Sequence, residues 1–173
     1  MKKLYGMVLA LLAGCSGVPD GLTPVTGFEL QRYLGRWYEI ARLDHRFERG
    51  LTHITAEYQL RPDGRVDVTN RGFDTAKNAW RDAKGVARFQ GASDVASLEV
   101  SFFGPFYGAY NVIVLDPQYR YAMIAGPNRS YFWILAREPQ LDRATLDDLI
   151  ARAKAWGFAT DALIFPDQSP RAE

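Results

Sequence analysis

Tyr33-Leu34-Gly35-Arg36-Trp37-Tyr38-Glu39-Ile40-Ala41-Arg42 is the stretch around which the rest of the chain is organised. Trp37, Glu39 and Ala41 alternate with Tyr38 and Ile40, which is the two-residue period of a strand with two different faces. Gly35 lets the backbone come close to a neighbouring segment. Taken alone, the stretch predicts a first strand with a core tryptophan.

Seven further strand-like runs follow, and they are similar in length and joined by short turns. This spacing is typical of an antiparallel meander. An open sheet of eight strands would leave two exposed edges, whereas closure into a barrel removes them. We therefore predict an all-β, eight-stranded antiparallel up-and-down barrel, with a two-sheet sandwich as the alternative. The seven runs are 52–60, 65–73, 80–89, 96–102, 110–115, 119–125 and 131–137.

One helix is predicted near the C-terminus, outside the barrel. Asp142 is suited to cap its first turn, and Gly157 to end it after about Trp156. Residues 162–165 are expected to add a short ninth strand at an edge. The helix would dock through a single apolar stripe formed by Leu146, Leu149, Ile150 and Ala153.

The N-terminus has the features of a secretion signal. Met1-Lys2-Lys3 is positively charged, and the apolar run 4–13 is too short to span a bilayer as a helix. Cys15 is the only cysteine, which excludes an intrachain disulfide. We predict a signal peptide (1–14), a lipidated tether (15–26), a barrel domain with its helix (27–166) and a flexible tail (167–173).

Several motifs in order resemble the lipocalin family. Gly35-Arg36-Trp37 resembles its first signature, Gly-x-Trp, and Leu135-Ala136-Arg137 resembles the third, which centres on an arginine. The segment 115–119 matches the second signature in part, with Gln118 in place of the aspartate. The segments 44–51 and 101–108 further resemble the bacterial branch, so the resemblance covers roughly residues 27–166.

The resemblance implies roles for several residues. Leu12-Ala13-Gly14-Cys15 resembles the bacterial lipoprotein box, in which the cysteine is lipidated, with acyl chains such as palmitate, after cleavage in front of it. Ser16 resembles the sorting pattern for the outer membrane, which implies a lipid anchor at its periplasmic face. Trp37 is implied to plug one end of the barrel, with Arg137 packed across the indole. Gly35, Trp37 and Arg137 are thus expected to be structural.

In a meander, successive turns alternate between the two ends, so the loops at 44–50, 74–78, 104–108 and 126–130 should form a mouth opposite Trp37. A mostly apolar and aromatic lining suits an acyl chain with its head group near the mouth. The alternative is a barrel filled by its own side chains. Extending the alternation along the strands gives the inward candidates Ala56, Tyr58, Val68, Asn70, Phe89, Val100, Phe102, Tyr110, Val112, Met123, Tyr131 and Trp133.

The mouth loops carry aromatic residues and arginines. The aromatic residues Phe47, Phe103, Phe106 and Tyr107 either gate the cavity or touch a lipid surface, or they pack against one another. The arginines Arg46, Arg49 and Arg129 either meet a phosphate or carboxylate or are solvated charges. An aromatic mouth is also compatible with a homodimer.

The residue inventory favours a binding protein over an enzyme. A net charge of +1 gives no electrostatic argument for nucleic acid. His45 and His53 make a weak case for a metal, no nucleophile and base can be paired, and Glu39 is expected to be a buried structural carboxylate. We predict no catalytic residues, metal or cofactor. The predicted function is storage or transport of fatty acids or lysophospholipids in the cell envelope; the alternatives are a structural envelope lipoprotein and a lipid-modifying enzyme.

Overall fold

Residues 17–171 are described in the computed structural model, and within them eight antiparallel strands form a closed barrel. Each strand pairs with the next, and the last pairs with the first. The predicted up-and-down barrel is confirmed. The strands are β1 (Gly35–Arg42), β2 (Leu51–Leu60), β3 (Val66–Asp74), β4 (Ala79–Phe89), β5 (Ser97–Phe103), β6 (Phe106–Leu115), β7 (Tyr121–Ala125) and β8 (Phe132–Ala136).

Register shifts interrupt four of the strand pairs, and two of them reverse the facing of side chains near the cavity. In the β1–β8 pair, Glu39 lies opposite Leu135 and Ala41 opposite Ile134, so Ile40 is an extra residue. In the β6–β7 pair, Val112 lies opposite Ile124 and Val114 opposite Met123, so Ile113 is extra. Because side chains alternate with a period of two, each extra residue reverses the facing of those that follow.

The predicted helix lies on the outside of the barrel as α2 (Arg143–Ala155), after a short turn of helix, α1 (Leu30–Tyr33), that precedes β1. The Asp142 carboxylate accepts a hydrogen bond of 2.9 Å from the Thr145 amide, which satisfies a free N–H of the first turn. Leu149 and Ala153 are buried in a cluster with the outward side chains of β7 and β8, which we call the outer cluster. Within the described residues, no helix is long and apolar enough to cross a membrane.

Both terminal segments contact the barrel, which corrects the expected tether and tail. Residues 17–26 run along the outside, where Val25 donates to the Val112 carbonyl at 2.9 Å. His53 sits at a register shift in β2 with φ of +52°, and its amide donates to Asp167 at 2.7 Å. Gln168 Nε2 donates to the carbonyls of Glu39 and Ile54 at 2.9 and 2.8 Å. The irregular strand positions thus offer backbone groups that the tail binds, up to residue 171.

The expected ninth strand is reduced to a single bridge. Ile164 and Arg42 exchange two backbone hydrogen bonds of 2.8 and 3.0 Å, while residues Thr160–Ala162 form a turn of 3₁₀ helix instead of extended chain. The signal peptide and Cys15 lie outside the described residues, as do residues 172–173.

A candidate ligand-binding cavity

The closed end of the barrel is plugged by Trp37. Its indole is buried, and its Nε1 donates a 2.8 Å hydrogen bond to the Tyr33 carbonyl. The guanidinium of Arg137 lies 4.1 Å from the ring centroid and donates to the carbonyls of Arg36 and Arg32, both at 2.8 Å. Gly35 has φ of +88°, a conformation that a side chain would strain. The three residues occupy the structural places that the lipocalin resemblance implies.

Above this plug, the barrel holds a cavity of about 510 Å³ that opens at the opposite end. Nine of the twelve predicted residues line it, and their contact with a ligand stays a prediction. The nine are Ala56, Tyr58, Val68, Asn70, Val100, Phe102, Tyr110, Tyr131 and Trp133.

Three predicted residues lie elsewhere. Val112 and Phe89 belong to the apolar cluster at the closed end, where Phe89 packs edge-on against Phe28 with centroids 6.1 Å apart. Met123 faces outward into the outer cluster, and its place in the cavity is taken by Ile124. The prediction for Met123 is wrong because the bulge at Ile113 shifts the pairing of β6 with β7 by one residue.

Tyr58 and Tyr110 form the floor of the cavity, and their hydroxyls belong to a cluster with that of Tyr33, which lies outside the cavity lining. Tyr110 makes hydroxyl–hydroxyl hydrogen bonds to Tyr33 at 2.6 Å and to Tyr58 at 2.9 Å. Burial raises the pKa of Tyr58 to about 12, so the three groups remain neutral hydrogen-bonding partners of one another. The floor therefore presents mostly ring surface to an incoming ligand.

The mouth carries exposed aromatic rings. Phe103 and Phe106 face each other across the end of the β5–β6 hairpin and are 82% and 78% exposed. Phe47 and Tyr131 are partly exposed and stack on the ring of His45, with centroid distances of 5.4 and 5.1 Å. Of the four predicted mouth aromatics, Phe47 packs on the ring of His45, while Phe103 and Phe106 at the hairpin tip are open to solvent.

Two of the three mouth arginines are engaged by the protein itself. Arg49 makes a bidentate ion pair with Asp44 at 2.9 and 2.5 Å. Arg129 donates to the carbonyls of Trp156 and Asp20, both at 2.6 Å. These two guanidinium groups hold the mouth loops in place, which weakens the prediction that they bind an anionic head group.

A buried charge cluster lies in the wall near the mouth. Arg42 Nη1 is 3.0 Å from Glu39 Oε1, and Arg42 Nη2 donates to the Glu48 carbonyl at 3.0 Å. The Trp133 indole donates to Glu48 Oε2 at 3.1 Å. All three charged residues are buried, and the two glutamates line the cavity. The cluster places two carboxyl groups in a lining that is otherwise mostly apolar.

A model of the lipocalin-like domain family matches residues 28–168 of the chain. This chain belongs to the lipocalin family. The match covers the barrel, the helix and the segment that follows it.

Among relatives of this lipocalin, outer membrane lipoprotein Blc of Vibrio cholerae is 51% identical, over 91% of this chain and 93% of that protein. Outer membrane lipoprotein Blc of Escherichia coli is 48% identical, over 91% of this chain and 90% of that protein. Insecticyanin from the tobacco hornworm Manduca sexta has a similar structure, with a TM-score of 0.68 over 87% of this chain and 86% of its own. At 20% identity, the insecticyanin likeness shows the fold alone.

In this lipocalin, the pKa values of the cluster follow from two carboxyls sharing one guanidinium. Burial and the charge of Glu48 raise the pKa of Glu39 well above its ordinary value, against the lowering effect of Arg42. Burial also raises the pKa of Glu48, opposed by the Trp133 hydrogen bond and by Arg42. These directions favour retention of one proton on the pair, which makes the cluster neutral overall.

His45 adds a second titratable group beside the cluster. Its ring lies 4.5 Å from that of Trp133, and within the described structure its buried Nε2 has no hydrogen-bond partner. Burial and the nearby charge of Arg42 lower the pKa of His45 to about 4. The imidazole is therefore neutral at pH 7.

Sequence reasoning placed Glu39 inside as a buried carboxylate but missed Arg42, Glu48 and His45. Simple alternation puts Arg42 on the outer face with Tyr38, and the bulge at Ile40 turns it inward. Glu48 and His45 lie in a loop, where strand periodicity gives no facing. The one available signal was the concentration of charged residues in the segment 42–49. Among residues 17–171, no group of three or more side chains is placed to hold a metal ion.

Proposed function

We propose that this lipocalin is a lipid-binding lipoprotein that stores or transports fatty acids or lysophospholipids in the cell envelope. The observation that carries the proposal is the open cavity of about 510 Å³ with its apolar and aromatic lining. Binding of hydrophobic ligands in such a chamber is the activity that the fold and the lining support together.

The energetics of an acyl chain are adequate for this function. Each buried methylene contributes about 0.8 kcal/mol, so about 15 methylenes contribute ~12 kcal/mol. Subtracting an association cost of at least about 4 kcal/mol leaves ~8 kcal/mol, which corresponds to micromolar affinity. The acyl chain would lie on the tyrosine floor and the head group at the mouth, beside Glu48 and Trp133.

The anchor and location are part of the same proposal. Cys15 would carry the lipid after removal of residues 1–14 and hold the barrel at the periplasmic face of the outer membrane. Two relatives about half identical to this chain are named outer membrane lipoproteins, which supports this location. The residues among 17–171 that line the cavity include no serine or cysteine beside the charge cluster, so binding is favoured over lipid modification.

The first experiment is native mass spectrometry on the soluble form, with Cys15 replaced, purified from a bacterial membrane extract. We expect a discrete bound mass that an added fatty acid or lysophospholipid displaces with a stoichiometry of one. A protein that is bare and takes up no added lipid would instead support a structural envelope lipoprotein. Chemical conversion of the added lipid would support the enzyme alternative.

Two cavity variants locate the bound lipid. Trp133→Ala and Phe102→Arg should each weaken lipid binding by about tenfold or more, because the first removes wall contacts and the second buries a charge in an apolar chamber. Leu60→Arg, on an exposed residue at the closed end of the barrel, is the matched control. Unchanged affinity in both folded cavity variants would reject the cavity as the binding site.

A further inference from the structure

The tyrosine cluster at the floor of the cavity has one more hydroxyl hydrogen than it uses. Tyr110 bonds to Tyr33 at 2.6 Å and to Tyr58 at 2.9 Å, and in each bond one hydroxyl donates and the other accepts. Three hydroxyls carry three hydrogens, and the two bonds use two of them. Among residues 17–171, these hydroxyls have no other hydrogen-bond partner, so one buried O–H is left to donate to an acceptor from elsewhere.

The spare hydrogen is able to reach the cavity. Hydroxyl hydrogens rotate, so the cluster directs its free O–H from whichever ring an acceptor approaches. Tyr58 and Tyr110 both line the cavity, whereas Tyr33 lies outside that lining. Burial raises the pKa of all three tyrosines above the ordinary value, so every hydroxyl keeps its hydrogen at neutral pH. An acceptor inside the cavity therefore meets a neutral hydrogen-bond donor.

The three rings are held in place by the closed end of the barrel. Tyr33 comes from α1, Tyr58 from β2 and Tyr110 from β6. The ring centroid of Tyr33 is 4.7 Å from that of Trp37 and 5.5 Å from that of Tyr58. Tyr110 in turn meets Tyr58 edge-on, with centroids 6.1 Å apart. Because the plug fixes the cluster, the binding of a ligand requires little ordering of these side chains.

The closed-end side of the cluster offers a poor alternative partner. A separate void there has a volume of about 10 Å³, which is at the lower limit for one water molecule. A buried water also needs two or more polar partners. Apart from the three tyrosines, the side chains that line this void are apolar, namely Phe28, Leu30, Val66, Ala87, Leu98 and Val100. The free hydrogen is therefore satisfied best from the cavity.

We propose that Tyr58 and Tyr110 bind a neutral oxygen atom near the methyl end of an acyl chain, such as a hydroxyl, keto or ether oxygen. The inference rests on the proposed binding of acyl chains in the cavity and adds a class of chain, one that is oxygenated far from its head group. With the head group at the mouth, the methyl end is the part that reaches the floor. An unsubstituted chain leaves the buried O–H unpaired, whereas a chain oxygen satisfies it.

An ionised head group fits this floor less well than a neutral oxygen. None of the described residues that line the small void is basic, and Arg137, which stacks on Trp37, already donates to two carbonyls. The buried guanidinium of Arg42 lies near the mouth, with Glu39 and the Glu48 carbonyl. A carboxylate or phosphate needs a cation or several donors to offset its lost hydration, and the cluster offers one O–H.

The experiment compares three fatty acids of equal length on the soluble form, with Cys15 replaced and bound lipid removed. Palmitate has no oxygen in its chain, ω-hydroxypalmitate has a hydroxyl on the last carbon, and α-hydroxypalmitate has one beside the carboxyl group. Titration calorimetry gives the dissociation constants. In Tyr58→Phe/Tyr110→Phe, ω-hydroxypalmitate should bind about tenfold or more weakly, because its buried hydroxyl loses its partner. The rings are retained, so palmitate and α-hydroxypalmitate should each change by less than about threefold.

Two variants serve as matched controls. Tyr58→Phe alone leaves Tyr33 to donate to Tyr110, whose own hydrogen is then free for the ligand, so the affinity for ω-hydroxypalmitate should be retained. Asn70→Ala removes a polar side chain that lines the cavity nearer the mouth and should also have little effect on that affinity. A loss in Asn70→Ala that is absent from the double variant would place the oxygen at Asn70 and refute the inference.

The remaining outcomes separate this inference from the proposed function. Equal affinity of the double variant and the unaltered chain for ω-hydroxypalmitate would overturn the inference while palmitate binding still supports a lipid carrier. Equal weakening of all three acids would place the carboxyl group on the tyrosines, which also overturns it. Failure of the unaltered chain to bind palmitate would reject the proposed function, and this site with it.

Infrared spectroscopy tests the same contact without a variant. A fatty acid with an isotopically labelled keto group next to its methyl end is bound to the unaltered chain. A hydrogen bond from a tyrosine should lower the carbonyl stretching frequency below its value in an alkane solvent. A frequency equal to the alkane value would mean that the keto oxygen has no donor, and the inference would fail even if the double variant did not fold.

Discussion

The two ends of the barrel are built on opposite principles. At the closed end, Trp37 is buried, its indole N–H is bonded to Tyr33, and Arg137 stacks on its face while donating to two carbonyls. Every polar group in this description has a partner, and the surrounding cluster is apolar. Such an arrangement stabilises one conformation and leaves nothing for a ligand to satisfy.

At the mouth, charged side chains are buried and aromatic rings are exposed. Arg42 is shared by Glu39 and Glu48, and Arg42 Nε and His45 Nε2 lack hydrogen-bond partners in the described structure. Phe103 and Phe106 are exposed instead of buried. The difference indicates that the closed end provides stability, whereas the mouth gives up stability by burying titratable groups and exposing aromatic rings.

The largest expected effect is at the closed end. Trp37→Ala should lower the free energy of unfolding by about 4 kcal/mol, because it leaves a large cavity and removes the ring on which Arg137 stacks. Urea unfolding followed by circular dichroism measures this loss. Trp80→Ala, at a half-buried ring outside the cavity, is the control and should cost less than half as much. If both variants lost the same free energy of unfolding, the result would contradict the conclusion that the closed end provides the stability of the barrel.

The second effect breaks the charge cluster at the mouth. Arg42→Met should cost about 3 kcal/mol at pH 7.5, because two buried carboxyls lose their shared cation. A carboxyl whose pKa is raised in the folded state stabilises at low pH and loses that contribution as the pH rises through the folded pKa. The variant should therefore be closer to the unaltered chain at pH 5 than at pH 7.5, as measured by urea unfolding at both.

A compensating variant tests the cause of that loss. Arg42→Met/Glu39→Gln/Glu48→Gln removes the orphaned charges together with the cation, so it should recover much of the lost stability at pH 7.5. A triple variant as unstable as Arg42→Met would show that lost packing, and not unpaired charge, is responsible.

This contrast also explains which features of the barrel could be predicted from the sequence. Regular alternation predicted the eight strands and nine cavity residues, because a barrel wall repeats every two residues. It failed at single inserted residues: Ile113 turned Met123 outward, and Ile40 turned Arg42 inward. A bulge has no reliable signature in one sequence, since it depends on the register of the partner strand.

The parts of the chain outside the strands were harder to predict for a related reason. Residues 17–26 and 167–171 have the composition of loose segments, yet they bind irregular positions such as His53 that offer unpaired backbone groups. His45 and Glu48 lie in a loop whose conformation is fixed by contacts with Tyr131 and with Trp133 of β8, which are distant in the sequence. Such long-range contacts are invisible to local periodicity.

The third effect is a pH dependence that arises at His45. Its pKa is about 4 in the folded protein against about 6.5 when unfolded, so acid favours the unfolded state. Stability from this residue is present above pH 6.5 and is lost as the pH falls toward 4, by about 2 kcal/mol at pH 5. Glu39 and Glu48 act with the opposite sign, because their pKa values are raised.

The His45 contribution is isolated by comparison with His45→Gln, which retains the glutamates and cannot titrate. Between pH 7.5 and pH 5, the unaltered chain should lose stability relative to this variant when both are unfolded in urea. Parallel pH profiles would contradict a buried neutral imidazole at the mouth.

The smallest expected loss of stability is at the tyrosine floor, which lies between the closed end and the cavity. Tyr58→Phe removes one of two hydroxyl bonds to Tyr110 and should cost about 1 kcal/mol, since Tyr33 still bonds Tyr110. The aromatic surface beneath the acyl chain is unchanged, so lipid affinity should change by less than about threefold. If Tyr58→Phe instead weakened lipid binding as much as Trp133→Ala, the head group would have to lie on the tyrosines, and the ligand would be inverted in the cavity.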